Sequence, residues 1–446
     1  MMGKNNCVPV TMLLRQCYRV SYTASVTLRQ LHCVSYTASV NPDVIASVYN
    51  SAFTVCGIHS FFMSNTTHQH DTIILGGGIA GLWLLSLLRK QGFQAILIEE
   101  KGLGSGQTFA SQGMIHGGIK YSLTGATTGA SDSIADMPSR WRSCLAGTDS
   151  VNLKGVTVLS ESYYMFSDAR LSSKLTAFFG SKTLEGRIAS VTTANYPEVF
   201  QSPSFGGLLY KLNDIVLDTR SLVTHLHNQL RDYIFEGSVS FEHTNGRVNH
   251  LQVDNGLTLS ADNYVLAAGK GNGKLIEDLG LEVTMQLRPL HQVVVKGKTL
   301  PDLFAHAVTL RSADKPRITF TTHASIDAKT WYLGGQLAET GVARNETEQI
   351  EFAKTELAAL MPWIDFSSCE FSTFRVDRAE AGGETRLRPD TPYVRRHGNV
   401  IVCWPTKLTL APMMGDMFMK LMTAPKVGMT TRLNLPRASI GNSSWQ

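Results

Sequence analysis

Between Asp71 and Glu100 the chain switches from one apolar period to another. Asp71-Thr72-Ile73-Ile74-Leu75 is a short continuous apolar run of the strand type. Leu82 to Leu88 stays apolar, Arg89-Lys90 follows, and Gly92 stops the run. That is the signature of a buried helix with cations at its C-terminal end and a glycine stop. Gln94-Ala95-Ile96-Leu97-Ile98-Glu99-Glu100 is a second buried strand ending in acid. Where strand passes into helix the sequence spends Gly76, Gly77, Gly78 and Gly81 in place of side chains. The pattern therefore predicts strand, glycine turn, helix, strand, acid.

Gly76-x-Gly78-x-x-Gly81 has a physical reading in that setting. Gly76 permits the tight turn, and Gly78 lets a pyrophosphate approach the backbone. Ile79 and Ala80 open the helix there, where free N–H groups and the dipole favour anions. Gly81 lets helix and strand pack closely. Glu99 sits where a carboxylate accepts hydrogen bonds from ribose hydroxyls. Glu100 is the neighbouring alternative, but alternation turns it the other way. A glycine turn with no ligand is the bland alternative; strand, helix and acid in register favour a dinucleotide.

Further along, Gly155–Ser167, Leu287–Lys298 and Thr330–Glu339 alternate and carry aromatics, as sheet strands do. Trp331 and Tyr332 are candidates for a pocket wall, or plain sheet residues. Tyr264 to Gly269 and Val400 to Trp404 are buried strands, the second followed by the turn Pro405–Leu410 and an apolar helix from Ala411.

The 446 residues suffice for two or three domains, and 43% hydrophobic with 17% charged residues is a soluble, globular composition. Of the net charge of +5, +3 lies in residues 1–62, where Lys4, Arg15, Arg19 and Arg29 face Asp43 alone. The remainder is too balanced for nucleic acid, and no basic run interleaves with aromatics. The seven cysteines contain no C-x-x-C pair, which speaks against zinc or a disulfide framework, and there is no H-e-x-x-H spacing, so no metal is expected. No apolar run reaches membrane-span length; Val44–Met63 comes nearest and is broken by Asn50, Ser51 and His59.

Residues 1–62 stand apart. "VSYTASV" occurs at Val20–Val26 and again at Val34–Val40, with no persistent helix or strand period. Three readings are open: a translated upstream region with Met63 as the start, a transit peptide, or a genuine extension. The duplication favours the first, and none gives the segment a catalytic role. The implied location is cytoplasmic, in solution or peripheral at a membrane, and mitochondrial if 1–62 is a transit peptide.

Three later stretches resemble the FAD-dependent oxidoreductases of the D-amino acid oxidase-like superfamily. Gly104–Leu123, "GSGQTFASQGMIHGGIKYSL", is similar to the family's flavin loop, and Ile115-His116-Gly117-Gly118 is nearest the glycerol-3-phosphate dehydrogenase and 2-hydroxyglutarate oxidase branch. "LSADNYVLAAGKGNGKL", Leu259–Leu275, resembles the strand and A-x-G turn that close the nucleotide domain. Asn399–Met422 resembles the final strand, loop and helix, with Pro405-Thr406-Lys407-Leu408-Thr409 closer to a G-K-x-T form than to the glycine-rich turn of amine oxidases. Upstream, Val216 to Val223 looks like a family helix start, for which Asp218 is a plausible N-cap.

The resemblance implies an α/β fold: a Rossmann-like FAD-binding domain with an interleaved mixed-sheet α+β substrate domain. The expected division is 1–62 outside the core; 63–154, 215–285 and 395–446 in the FAD-binding domain; 155–214 and 286–394 in the substrate domain. The resemblance adds Gln112, Gly113, Val239, Ala268, Gly269, Thr406, Lys407, Leu408 and Thr409 to the FAD contacts. Lys407 and nearby N–H groups would stabilise negative charge on reduced flavin.

Oxidising a C–H beside a hydroxyl or amine needs an anion anchor, a base and the flavin as hydride acceptor. Arg375, Arg378, Arg386 and Arg388 are the candidate anchors, guanidinium matching carboxylate. An ion-pair network with Asp377 and Glu380 is the competing account. His116 leads as base and His291 follows, against the common structural role of a buried histidine; Lys120 and Tyr121 are secondary. The implied substrate is a small anionic 2-hydroxy acid or polyol phosphate, with an amine or amino acid as the alternative. The electron acceptor is oxygen, a quinone or an electron-transfer partner. A nicotinamide enzyme and a flavin-binding module without turnover are the readings from other classes. A protein that begins at Met63 is expected to fold, bind FAD and melt within a few degrees of the full chain; loss of solubility or cofactor on truncation would place residues 1–62 in the core.

Overall fold

The computed structural model describes residues 68–118, 134–167, 188–254, 256–309, 315–383, 389, 391–426, 428 and 433–443. The remaining stretches of the sequence analysis, residues 1–62, Lys120, Tyr121, Arg386 and Arg388 among them, lie outside the described residues.

The opening prediction holds element by element. β1 spans His68–Leu75, a helix spans Ile79–Lys90 with Arg89 and Lys90 in its last turn, and β2 spans Ala95–Glu99. β1 and β2 pair in parallel. On the other side of β1 lies β12 (Thr258–Leu266), also parallel, and beside β12 lies β19 (Val400–Trp404), parallel again. β9 (Ile234–Glu236) extends the sheet beyond β2. The hairpin β10 (Val239–Thr244) and β11 (Arg247–Val253) joins at β12, and β18 (Tyr393–His397) pairs with β19. Strands buried on both faces read as unbroken apolar runs, which is why β1, β2 and β19 were legible.

The second large sheet is mixed. Its order is β17-β13-β16-β15-β14-β5-β7-β6. Here β5 is Tyr163–Ser167, β6 Ile188–Ser190, β7 Leu209–Leu212, β13 Met285–Gly297, β14 Ala305–Val308, β15 Ile318–Ser325, β16 Ala328–Gly334 and β17 Glu370–Ala381. β13 and β17 form its longest ladder, an antiparallel pair running from Met285↔Ala381 to Lys296↔Glu370. A three-stranded sheet, β3 (Met114–Ile115), β8 (Ile215–Leu217) and β4 (Val158–Ser160), stands apart from both. The chain thus enters and leaves the nucleotide sheet repeatedly, giving the α/β fold with an interleaved mixed sheet.

Two sequence readings change in detail. Gly155–Ser167 is two strands in different sheets, β4 and β5. Thr330–Glu339 ends as a strand at Gly334, and Gln336–Thr340 is helical. Trp331 and Tyr332 are fully buried. Trp331 packs edge-on to Phe320 at 5.5 Å and Tyr332 stacks with Phe374 at 5.6 Å, so both serve the sheet's interior. Asp218 is a cap, its carboxylate accepting from the Ser221 N–H at 2.8 Å.

Two buried histidines tie stability to pH. Burial, with His68 and Arg89 adding to it, pushes the His70 imidazole from 6.5 down to about 4. Burial likewise lowers His323 to about 4. Between these values the unfolded chain binds protons that the folded chain refuses, so stability is complete above pH 6.5 and falls as pH drops toward 4. Each histidine should cost about 2 kcal/mol at pH 5. Denaturant midpoints measured at pH 7 and pH 5 should separate accordingly, and His70→Phe should shrink the gap. An unchanged gap would acquit His70.

Candidate active site

Glycine shapes the floor of the site. Gly76 has φ +109°, and a Cβ there would lie 2.4 Å from the Ala268 Cα. A Cβ on Gly81 would lie 1.9 Å from the Gly76 carbonyl oxygen. The strand, the helix and the Ala267–Gly269 turn therefore meet backbone to backbone. Gly78 is the helix N-cap, extended and without a side-chain cap, and its Cβ position lies 3.2 Å from Thr108 Oγ1. The Ile79 N–H donates to that hydroxyl at 3.0 Å. Glu99 accepts from the Gly77 N–H and, at 2.8 Å, from the Lys101 N–H, which fixes its carboxylate at the turn.

These groups line a cleft of about 1650 Å³. Gly76, Gly78, Ile79, Ala80, Glu99, Glu100, Gln112, Val239, Ala268, Gly269, Thr406, Lys407 and Leu408 all face it. Gly81, Gly113 and Thr409 do not border it: Gly113 packs on the Leu217 carbonyl, and the buried Thr409 hydroxyl donates to the His116 carbonyl at 3.2 Å. Glu100 is exposed and pairs loosely with Lys101 at 4.0 Å, whereas Glu99 is held. The dinucleotide-sized cleft, the glycine-led helix start that borders it and the acid at the end of β2 fit FAD.

The far wall comes from β13 and β17. Arg288 and Arg378 face each other across that ladder and both line the cleft. Arg378 Nη2 lies 3.4 Å from Glu339, and Lys315 lies 3.2 Å from the same carboxylate. Burial pushes the Glu339 carboxyl up, but Lys315, Arg378 and Arg288 outweigh it and hold the group below the ordinary carboxylate range. The predicted network with Asp377 and Glu380 is rearranged: Asp377 pairs with Lys270, and buried Glu380 pairs with Arg288 at 3.7 Å. Arg375 also lines the cleft, but its guanidinium donates to the Val342 and Arg344 carbonyls at 3.0 and 2.6 Å.

The two candidate bases part company. His116 is buried and lines the cleft. His291 is buried on β13 with both ring nitrogens engaged, one at 3.0 Å from the Gly341 carbonyl and the other at 2.9 Å from Thr373 Oγ1, and it does not line the cleft. Cys403 lines the cleft with its thiol pushed up by burial, a poor nucleophile.

Gln112 was expected at the cofactor, but its partners were not, and other positions escaped the sequence reading. Gln107 accepts from the Ala379 N–H at 3.0 Å, and Gln112 donates to the Thr319 and Tyr332 carbonyls at 3.1 and 2.8 Å. These glutamines and Thr108 lie inside the loop already singled out, so their setting was legible and their partners were not. Asn272 donates to the Leu266 and Cys403 carbonyls at 3.2 Å each, tying β12 to β19 at the cleft edge. Arg288 lay on a predicted strand, where β alternation puts it on one face with Leu290. Lys315 and Glu339 had no local signal.

The comparisons with known proteins agree with this geometry. The family described as FAD dependent oxidoreductase matches residues 71–421. A probable FAD-dependent oxidoreductase of Pseudomonas aeruginosa is 43% identical over 383 residues, covering 84% of this chain and 97% of the relative. The crystal structure of an FAD dependent oxidoreductase from Pseudomonas aeruginosa superposes with a TM-score of 0.74 at 38% identity, over 85% of this chain and 98% of that one. Glycine oxidase from Geobacillus kaustophilus shares the fold, with a TM-score of 0.58 at 16% identity over 81% and 97% of the two chains. Among the described residues no helix is long and apolar enough to cross a membrane. The chain belongs to the FAD-dependent oxidoreductase family, and it is an FAD-dependent oxidoreductase.

Proposed function

We propose that the chain oxidises a small anionic hydroxy compound, a 2-hydroxy acid or a polyol phosphate, at the carbon bearing the hydroxyl. The observation that carries this reading is the meeting of three groups in one cleft: the glycine-turn floor, the Arg288–Arg378–Lys315 cluster, and His116. FAD, when bound, accepts the hydride. Gly76, Gly78 and the first helical N–H groups would hold its pyrophosphate, Glu99 its ribose, and the Pro405–Leu408 turn with Lys407 its pyrimidine edge. Arg378 would take the substrate's anion, with Arg288 and Lys315 reinforcing the field. His116 would take the hydroxyl proton.

An amine or amino acid is the second reading, favoured by Glu339, an ionised carboxylate inside the same cleft that can face an ammonium. Bleaching of the flavin by a panel of hydroxy and amino acids under anaerobic conditions decides between them. A protein that no member of the panel reduces would refute both. Reoxidation by air or by a quinone then identifies the acceptor.

Cofactor binding is testable separately. Gly78→Val should yield largely apoprotein, and a yellow, fully loaded variant would sink the floor assignment. Glu99→Ala should weaken FAD by about 1.5–3 kcal/mol, the worth of hydrogen bonds to a charged group, as read by fluorescence titration. Undiminished affinity would move the ribose contact elsewhere.

For the chemistry, His116→Ala should slow anaerobic flavin reduction by roughly 10²–10⁴-fold with FAD content intact. Loss of FAD instead would make His116 a cofactor contact, and a rate within a few-fold of wild type would remove it from the reaction. Arg378→Met should raise the substrate concentration for half-maximal reduction far more than it lowers the limiting rate. An unfolded variant would show that its bond to Glu339 is structural.

A further inference from the structure

Along β13, alternate residues share a face. Arg288, Leu290 and Gln292 all look into the cleft. The first is an ion-paired cation and the second apolar. The third is anomalous: Gln292 is 4% exposed, and its buried side-chain oxygen has no hydrogen-bond partner among the described residues. Neighbouring glutamines are not left this way. Gln349 donates to the His291 and Leu337 carbonyls and accepts from Arg344. Gln112 exchanges hydrogen bonds with Thr319 and donates to the Tyr332 carbonyl. A buried amide oxygen without a partner destabilises a fold, and leucine would fill the same space without that cost. A glutamine there is best accounted for by a ligand group that completes it.

We propose that Gln292 is a substrate-binding residue that receives a polar group of the substrate remote from its carboxylate. The proposal rests on the reading that Arg378, with Arg288 and Lys315 reinforcing the field, holds that carboxylate. The groups assigned to FAD come from the nucleotide sheet and its loops, whereas Gln292 belongs to the opposite sheet, on the face that carries Arg288. Gln292 lies four residue steps along the strand from Arg288, about 13 Å between Cα atoms. Leu290 lies between them, and Gln292 sits opposite Phe374 in the ladder. A neutral amide offers an ionised group no charge to offset its desolvation. The substrate class is therefore a carboxylic acid carrying an uncharged hydrogen-bonding group, a hydroxyl or an amide, at the far end of a short apolar chain.

The test uses the FAD-loaded enzyme and two probes, pentanoate and 5-hydroxypentanoate, with dissociation constants read from the perturbed flavin spectrum. Wild type should bind the hydroxylated acid about tenfold tighter. Gln292→Leu should abolish that preference while keeping FAD, pentanoate affinity and melting temperature. Gln292→Asn should restore part of it. Wild type that binds both probes alike, or binds neither, overturns the proposal. So does a Gln292→Leu protein that retains the preference, or one that loses FAD, which would make the amide a cofactor contact. Arg378→Met should weaken both probes equally. If it weakens neither, the carboxylate reading fails, and the Gln292 comparison still reports on the distal group by itself.

Discussion

Everything in the site depends on one approach of backbone to backbone. The Gly76 carbonyl lies where any Cβ on Gly81 would have to be, and the Ala268 backbone lies where a Cβ on Gly76 would be. Two strands and a helix therefore converge with no side chains between them. The convergence brings the helix start to the cleft, with Glu99 clamped beside it. A single methyl group at either glycine would have to displace main chain, which a close-packed interior resists.

The second requirement is that the two sheets keep their distance across the cleft. Gln107 and Gln112, both on the loop after β2, reach β17 and the β15–β16 pair. The Tyr332 hydroxyl returns the connection by donating to the Ala110 carbonyl. One loop is thus stapled to the opposite sheet at three points. Its polar composition, which reads as a generic flavin loop, has a mechanical meaning in this chain: the glutamines set where Arg378 stands relative to the glycine turn.

The parts legible in the sequence were those whose cause is local. Continuous apolar runs specify β1, β2, β19 and the last three residues of β12, and the Asp218 cap follows from side-chain chemistry within one turn. His116 stood out because a histidine sits between flat, glycine-flanked backbone. What escaped was set by register. Arg378 was legible as a cation, but its partner is Glu339: alternation on β17 separates it from Asp377, which pairs with Lys270, and Glu380, on its own face, is taken by Arg288. His291 has a base's chemistry and a strand's duty, held by the Gly341 carbonyl and Thr373. The strained Thr406, at φ +65° where a β-branched residue is rare, gave no signal beyond its departure from a glycine-rich turn.

The strand order carries a consequence for biosynthesis. β1 pairs with β12, so Thr72 lies beside Asn263, and β12 pairs in turn with β19, so Leu266 lies beside Val402. The floor of the cleft is drawn from both ends of the described chain, and the intervening segments build the other sheet. A nascent chain leaving the ribosome therefore holds β1 and its glycine turn unpaired on one side until most of the protein has been made. Contacts so distant in sequence close slowly, and exposed apolar strands invite aggregation while they wait. The floor that the glycine turn builds is therefore among the last parts of this fold to close.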